Sequence, residues 1–138
     1  MSRNESNLFR ITIKPDSKIG KAFDFCQEKS IVGVGWKLWS TDGTLYVPKH
    51  IWDCEEAGRR CYPKSRGFVT AIHCLGRMKL DDLIWTRNNG IYYLCRVTGS
   101  WEYHDEPEYL NKDLENVISV EFNEVCLLYT SPSPTRPY

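Results

Sequence analysis

The stretch DDLIWTRNNGIYYLCRVTGSWEY, residues 81–103, decides how the rest of the chain is read. Two runs rich in β-branched and aromatic residues flank Asn88-Asn89-Gly90. Asn-Gly is favoured in the type I′ turn of a two-residue hairpin, because both central residues take positive φ there. The segment therefore predicts a β-hairpin, with a bend in its second strand at Gly99. A hairpin alone is marginal in water and needs further strands or a covering layer. The flanking sequence must supply them.

Upstream, RGFVTAIHCLGRMK (66–79) sets Phe68, Ile72 and Leu75 along one stripe and predicts a helix that Asp81 and Asp82 end. Residues 39–66 are the least regular part, holding Asp42-Gly43, Pro48, Gly58 and Pro63, with room for a short helix near HIWDCEEAGRR. IVGVGWKL (31–38) predicts a strand with Val32, Val34, Trp36 and Leu38 on one face. Gly33 and Gly35, on its other face, leave space for a close neighbour, either backbone or ligand. SKIGKAFDFCQEKS (17–30) predicts a short helix with Ile19, Ala22, Phe23 and Cys26 at helical spacing, capped by Asp16 or Ser17 after Pro15. LFRITIK (8–14) alternates as a half-buried strand, with Phe9, Ile11 and Ile13 on one face. Downstream, HDEPEYLNKDLEN (104–116) reads as a polar loop. VISVEFNEV (117–125) reads as a last strand with Ile118, Val120 and Phe122 on one face. This order of elements predicts a compact α+β domain with a curled sheet.

A length of 138 residues, 41% of them hydrophobic and 26% charged, fits one ordinary globular domain. No apolar run is long enough to span a membrane, and the N-terminus MSRNESNLFRITIK lacks the apolar stretch of a secretory signal. The expected location is the cytoplasm, with no membrane partner. Cysteines at 26, 54, 61, 74, 95 and 126 form no Cys-x-x-Cys pair, and reduced thiols are expected. A metal set drawn from His50, Cys54, Cys61 and His73 or Cys74 matches no paired-ligand knuckle, so neither metal nor cofactor is expected.

Formal net charge is zero, but its distribution is uneven. Ala57 to Leu80 carries six basic residues and no acid, while Glu102 to Glu115 carries six acids against Lys112. Such segregation either creates a phosphate-attracting face or reflects a solvated helix and loop. Arg59, Arg60, Lys64 and Arg66 are the candidates for contact with a nucleic-acid backbone.

No hydrolase triad, P-loop or dinucleotide fingerprint is present, so the sequence does not argue for catalysis. The aromatics say more. Trp36, Trp39, Trp52, Trp85 and Trp101 are joined by Tyr92, Tyr93 and Tyr103. A base stacked on such a ring gains roughly 1–3 kcal/mol. Small curled sheets also fill their interiors with aromatics, and the core reading leads for Trp36. Trp39 and Trp101 lie beside turns, where a pocket role is stronger. Arg87 and Arg96, on adjacent hairpin strands, suit a phosphate, a base edge or a local acid such as Asp82. Asp82 suits a base amino group or, more commonly, the capping of a turn.

FRITIK, AFDFCQEKSIVGVGW, GRMKLDDLIWTRNNGIYYLCRVTGSWEY and ENVISVEFNEV, in that order across residues 8–125, resemble the PUA-like superfamily, which includes the EVE, ASCH and YTH domains. The likeness is nearest to the N-terminal PUA-like domains of bacterial restriction-like and other defence proteins. It implies an α+β fold: a PUA-like curled sheet or pseudobarrel of about five strands with two to three helices. It also implies a pocket that takes a flipped or unpaired base between aromatic side chains. Trp36 and Trp85 match that motif best, Trp101 and Tyr103 more loosely, with Trp39 a neighbour and Arg87 beside them. The expected function is recognition of a modified or flipped base in DNA or RNA, without enzymatic activity. The alternatives are a small hydrolase or nuclease using the His50, Cys54, Cys61 and His73 set, and a regulatory domain binding a small ligand or a protein.

The final stretch CLLYTSPSPTRPY (126–138) has neither apolar period nor acid. Its first nine residues resemble the translation of a transposase mosaic-end sequencing adapter, TGT CTC TTA TAC ACA TCT CCG AGC CC. Residues 1–125 are thus expected to form the domain, as the N-terminal fragment of a longer defence-type protein whose C-terminal effector domain is missing, and 126–138 an adapter-derived, disordered tail.

Overall fold

The computed structural model describes residues 7–13, 22–88 and 90–125. Its elements run β1 (Leu8–Arg10), α1 (Ala22–Lys29), β2 (Ile31–Val34), α2 (Ile51–Cys61), α3 (Arg66–Arg77), β3 (Leu83–Asn88), β4 (Ile91–Tyr103), α4 (Pro107–Asn111) and β5 (Asn116–Val125). The five strands form one mixed sheet in the order β1-β3-β4-β5-β2. β1 runs parallel to β3, and the other pairs are antiparallel.

The hairpin at the centre follows from its turn. Asn88 pairs with Ile91, and Gly90 has φ 81°, the left-handed conformation a glycine takes freely. Asn89 lies outside the described residues. Along β4 the register slips between Val97, opposite Val120, and Trp101, opposite Ile118. Gly99 lies within that slip and packs so closely that a Cβ there would stand 3.1 Å from Ser119 Cβ. The bend expected at Gly99 is this irregularity.

Two apolar clusters hold the layers together. The larger joins Phe23 and Cys26 of α1 to Val32, Ile84, Cys95, Val97, Ile118 and Val120 on the sheet. The smaller holds Leu38, Cys54, Ala57, Phe68 and Ile72, from α2, α3 and the segment after β2. Trp101 packs against both. The stripe on α3 is the expected one, with Phe68, Ile72 and Leu75 buried. Ser65 caps that helix by accepting the Phe68 N–H at 3.2 Å. Gly58 lets α2 and α3 meet: a Cβ there would fall 1.8 Å from the Phe68 ring. Asp82, nearly fully buried, accepts the N–H groups of Asn7 at 3.0 Å and Lys79 at 2.8 Å. The structure thus gives Asp82 the turn-capping role.

Three expectations are corrected. The sheet has five strands but is open rather than a closed pseudobarrel: β1 and β2 stand at its two edges. With three and four residues these edge strands are short, and the chain leaves the sheet before they meet. β2 ends at Val34 instead of running to Leu38, because Trp36 takes φ 81° and breaks the alternation. The polar segment 104–116 contains the helix α4, so the described residues hold four helices, not two to three. The start of the first predicted helix, with Pro15, Asp16, Ser17 and Ile19, lies outside the described residues, as does the stretch 126–138. No helix among the described residues is long and apolar enough to cross a membrane. The five described cysteines are free.

Candidate functional site

A cavity of about 550 Å³ opens where the chain leaves the sheet after β2. Gly33 to Lys37 line it, together with Trp39, Tyr62 and Gly67 from the α2–α3 side and Lys112 to Leu114 from the segment before β5. Thr12, just past β1, and Ala22 of α1 also reach it, so segments leaving both edges of the sheet contribute.

The two glycines expected to admit a close neighbour admit protein. A Cβ on Gly33 would lie 2.3 Å from the Asn116 carbonyl oxygen, and one on Gly35 would lie 2.2 Å from Asp113 Oδ1. The Asp113 carboxylate is thereby set against bare backbone at the cavity surface. Just beyond, Trp36 is held at positive φ, a strained conformation for an aromatic residue that costs about 1–3 kcal/mol. The surroundings fix it from both sides. Asn116 Nδ2 donates to the Gly35 carbonyl at 2.5 Å, and the Tyr62 hydroxyl donates to the Lys37 carbonyl at 2.5 Å. The indole packs edge-on against Tyr62 and Phe68, with ring centres 5.1 and 5.6 Å apart.

Trp39 is presented differently. It pairs with Leu45 across a tight turn in which Gly43 has φ 90°. The Asp42 carboxylate accepts both the Thr44 N–H and its hydroxyl, at 3.0 and 2.7 Å. The Trp39 carbonyl accepts Arg60 Nη1 at 2.6 Å, and the Trp39 N–H donates to Cys61 Sγ at 3.3 Å. A fixed backbone carries a ring that remains 40% exposed. Such an arrangement reduces the ordering cost of binding a flat ligand.

Beneath the cavity lies a buried polar cluster. Asn116 Oδ1 accepts Trp101 Nε1 at 2.9 Å and the Cys54 thiol at 3.3 Å. Burial pushes the Cys54 thiol up to about 12, which keeps it a neutral donor. Tyr103 accepts the Leu38 N–H at 3.2 Å, and burial pushes its phenol upward. Glu115 is fully buried, and neither of its carboxyl oxygens has a hydrogen-bond partner among the described residues. Lys37 Nζ stands 3.9 Å from Glu115 Oε2. Burial pushes the Glu115 carboxyl up to about 7, the neighbouring Asp113 carboxylate adds to the rise, and Lys37 opposes it.

Of the sequence candidates, Trp36 and Trp39 line the cavity, while Trp101 and Tyr103 support it from behind. Trp85 and Arg87 do not line it. They form an aromatic and cationic group on the hairpin with Tyr92, where the Arg87 guanidinium lies 5.6 Å from the Tyr92 ring centre. Arg96 bridges Asp81 and Glu121 at 2.8 Å each, which is the local-acid alternative among the three, with other acids than Asp82. Arg59 pairs with Glu55 at 2.6 Å, and Arg60 is tied to the Trp39 carbonyl. Lys64 and Arg66, exposed between the cavity-lining Tyr62 and Gly67, carry no ion pair among the described residues. The proposed metal ligands are not gathered. His50 stacks on Trp52, Cys54 faces Asn116, Cys61 faces Trp39, and His73 pairs with Glu55 at 3.1 Å. No group of metal-ligating side chains forms among the described residues. Lys37, Tyr62 and Asp113 were missed by sequence reasoning: Lys37 fell on the glycine face of the predicted strand 31–38 and was passed over, while Tyr62 and Asp113 sit in segments where no periodicity marks a facing direction.

No family model, curated protein or solved structure matches this chain.

Proposed function

We propose that this domain is a PUA-like nucleic-acid-binding module that takes one unpaired or flipped base, modified or unmodified, into the cavity beside Trp36 and Trp39. The observation that carries this reading is the aromatic lining of a cavity of about 550 Å³. Pockets for small flat ligands span about 300–1,000 Å³, mostly apolar with few convergent polar groups. Lys37, Lys112 and Asp113 supply such groups here. The α2–α3 corner adds Lys64 and Arg66 next to the lining, where a backbone phosphate would lie when its base is inside. Aromatic and small residues dominate the lining, which favours recognition over turnover.

Fluorescence titration with single-stranded DNA and RNA, and with duplexes holding or lacking an unpaired base, tests the reading. Single strands and unpaired bases are expected to bind more tightly than full duplex, and more tightly at low salt. Trp39→Ala is expected to weaken binding about tenfold or more, the loss of one stacking contact. Equal affinity for wild type and Trp39→Ala, or binding unaffected by salt, would overturn it.

A further inference from the structure

Glu115 is a buried acid with no evident structural reward. Its oxygens have no hydrogen-bond partner among the described residues, and the charged or titratable groups facing it are Lys37 after β2, Asp113 before β5, Tyr62 at the end of α2 and Tyr103 at the end of β4. The Tyr62 hydroxyl is committed to the Lys37 carbonyl, and Tyr103 accepts from Leu38. Among the described residues, Lys37 is therefore the cation available to an ionised Glu115. The same residue lines the cavity, and its side chain is 35% exposed, so its ammonium is within reach of both the buried acid and a ligand.

We propose that Lys37 is an anion-binding residue of the cavity restrained by Glu115, so that a ligand carrying a phosphate next to its ring binds with uptake of one proton at Glu115. When Glu115 is neutral it needs no counter-ion, and a proton lets it donate to the adjacent Asp113 carboxylate. Lys37 is then free to turn to the ligand. When Glu115 is ionised, drawing Lys37 away leaves an uncompensated buried charge, which is strongly unfavourable. Because burial holds the Glu115 carboxyl near 7, the change falls in the neutral range. An anion near Lys37 raises the proton affinity of Glu115 further, so affinity is highest below about pH 7 and falls as pH rises through it. The proposal rests on the base-binding reading and adds the charge of the ligand and its regulation.

The test measures affinity of a short single-stranded DNA from about pH 6 to pH 8.5, a range over which phosphodiesters keep constant charge. Calorimetry in buffers of different ionisation enthalpy counts the protons taken up. Wild type is expected to lose up to about tenfold in affinity per pH unit above the transition and to take up a proton on binding. Glu115→Gln should bind at every pH as wild type does at low pH, with no proton uptake. Lys37→Met should bind weakly, with a flat profile, because the residue that couples the ligand to Glu115 is gone. Should Glu115→Gln and wild type share one pH profile, the proposal is wrong although base binding stands. If the DNA binds at no pH, the base-binding reading fails and this inference falls with it.

Discussion

Asn116→Ala is expected to destabilise the domain by about 3–5 kcal/mol, seen as a loss of about 10 °C or more in Tm. One fully buried amide joins three parts of the structure. It accepts from Trp101 on β4 and from Cys54 on α2, and it donates to Gly35 beyond β2. Truncation strands the buried Gly35 carbonyl and removes the acceptor of the partly buried Trp101 N–H and the buried Cys54 thiol, and each buried orphan costs about 1–3 kcal/mol. Because domains of this size retain about 5–15 kcal/mol in total, the loss is a large share. It also releases the peptide that holds Trp36 at positive φ, so ligand affinity should fall with stability. Asn123→Ala, at an exposed position of β5, serves as the control and is expected to stay within about 0.5 kcal/mol. A change at Asn116 no larger than at Asn123 would refute the bridging role.

Glu115→Gln is expected to act in the opposite direction, raising stability at pH 8 by about 3 kcal/mol while leaving it nearly unchanged at pH 4.5. The sign follows from proton binding. Below about pH 4.5, the ordinary value of a glutamate, both folded and unfolded chains hold the proton and the site is neutral in each. Between there and about 7 the unfolded chain ionises freely while the folded one keeps its proton. Each pH unit in that interval therefore destabilises the fold by about 1.4 kcal/mol. Above it, both forms are ionised and the penalty is constant. Glutamine carries no such penalty, so urea denaturation across pH should show wild type losing stability over this interval and the variant holding level relative to it. Parallel curves for the two proteins would contradict the burial of a titrating acid.

Elements governed by local chemistry were legible in the sequence. The central hairpin declared itself through Asn89-Gly90 and alternation, α3 through its stripe of Phe68, Ile72 and Leu75, and Asp82 as a turn cap. Elements set by long-range contacts were not. The parallel pairing of β1 with β3 leaves no local mark, since the partners lie some 75 positions apart. The end of β2 is imposed by Asn116 and Tyr62 acting on either side of Trp36, and nothing in IVGVGWKL announces them. α4 has five residues, too few for a helical period to show among polar neighbours. The same division runs through the site. Trp36 and Trp39 were visible as large aromatics beside glycines and a turn, whereas Tyr62 and Asp113 become neighbours of the cavity only through folding. Trp85 and Arg87, equally conspicuous in sequence, lie instead on the hairpin with Tyr92.

The tryptophans allow the central claim to be tested by location as well as by affinity. Each of the five carries an indole N–H that gives its own NMR signal, assignable by single substitutions. On titration with single-stranded DNA or RNA, the signals of Trp36 and Trp39 are expected to shift together and saturably. Trp52 and Trp85, which do not line the cavity, should stay in place. Saturable shifts confined to Trp52 or Trp85, with Trp36 and Trp39 unmoved, would contradict the cavity as the base-binding site.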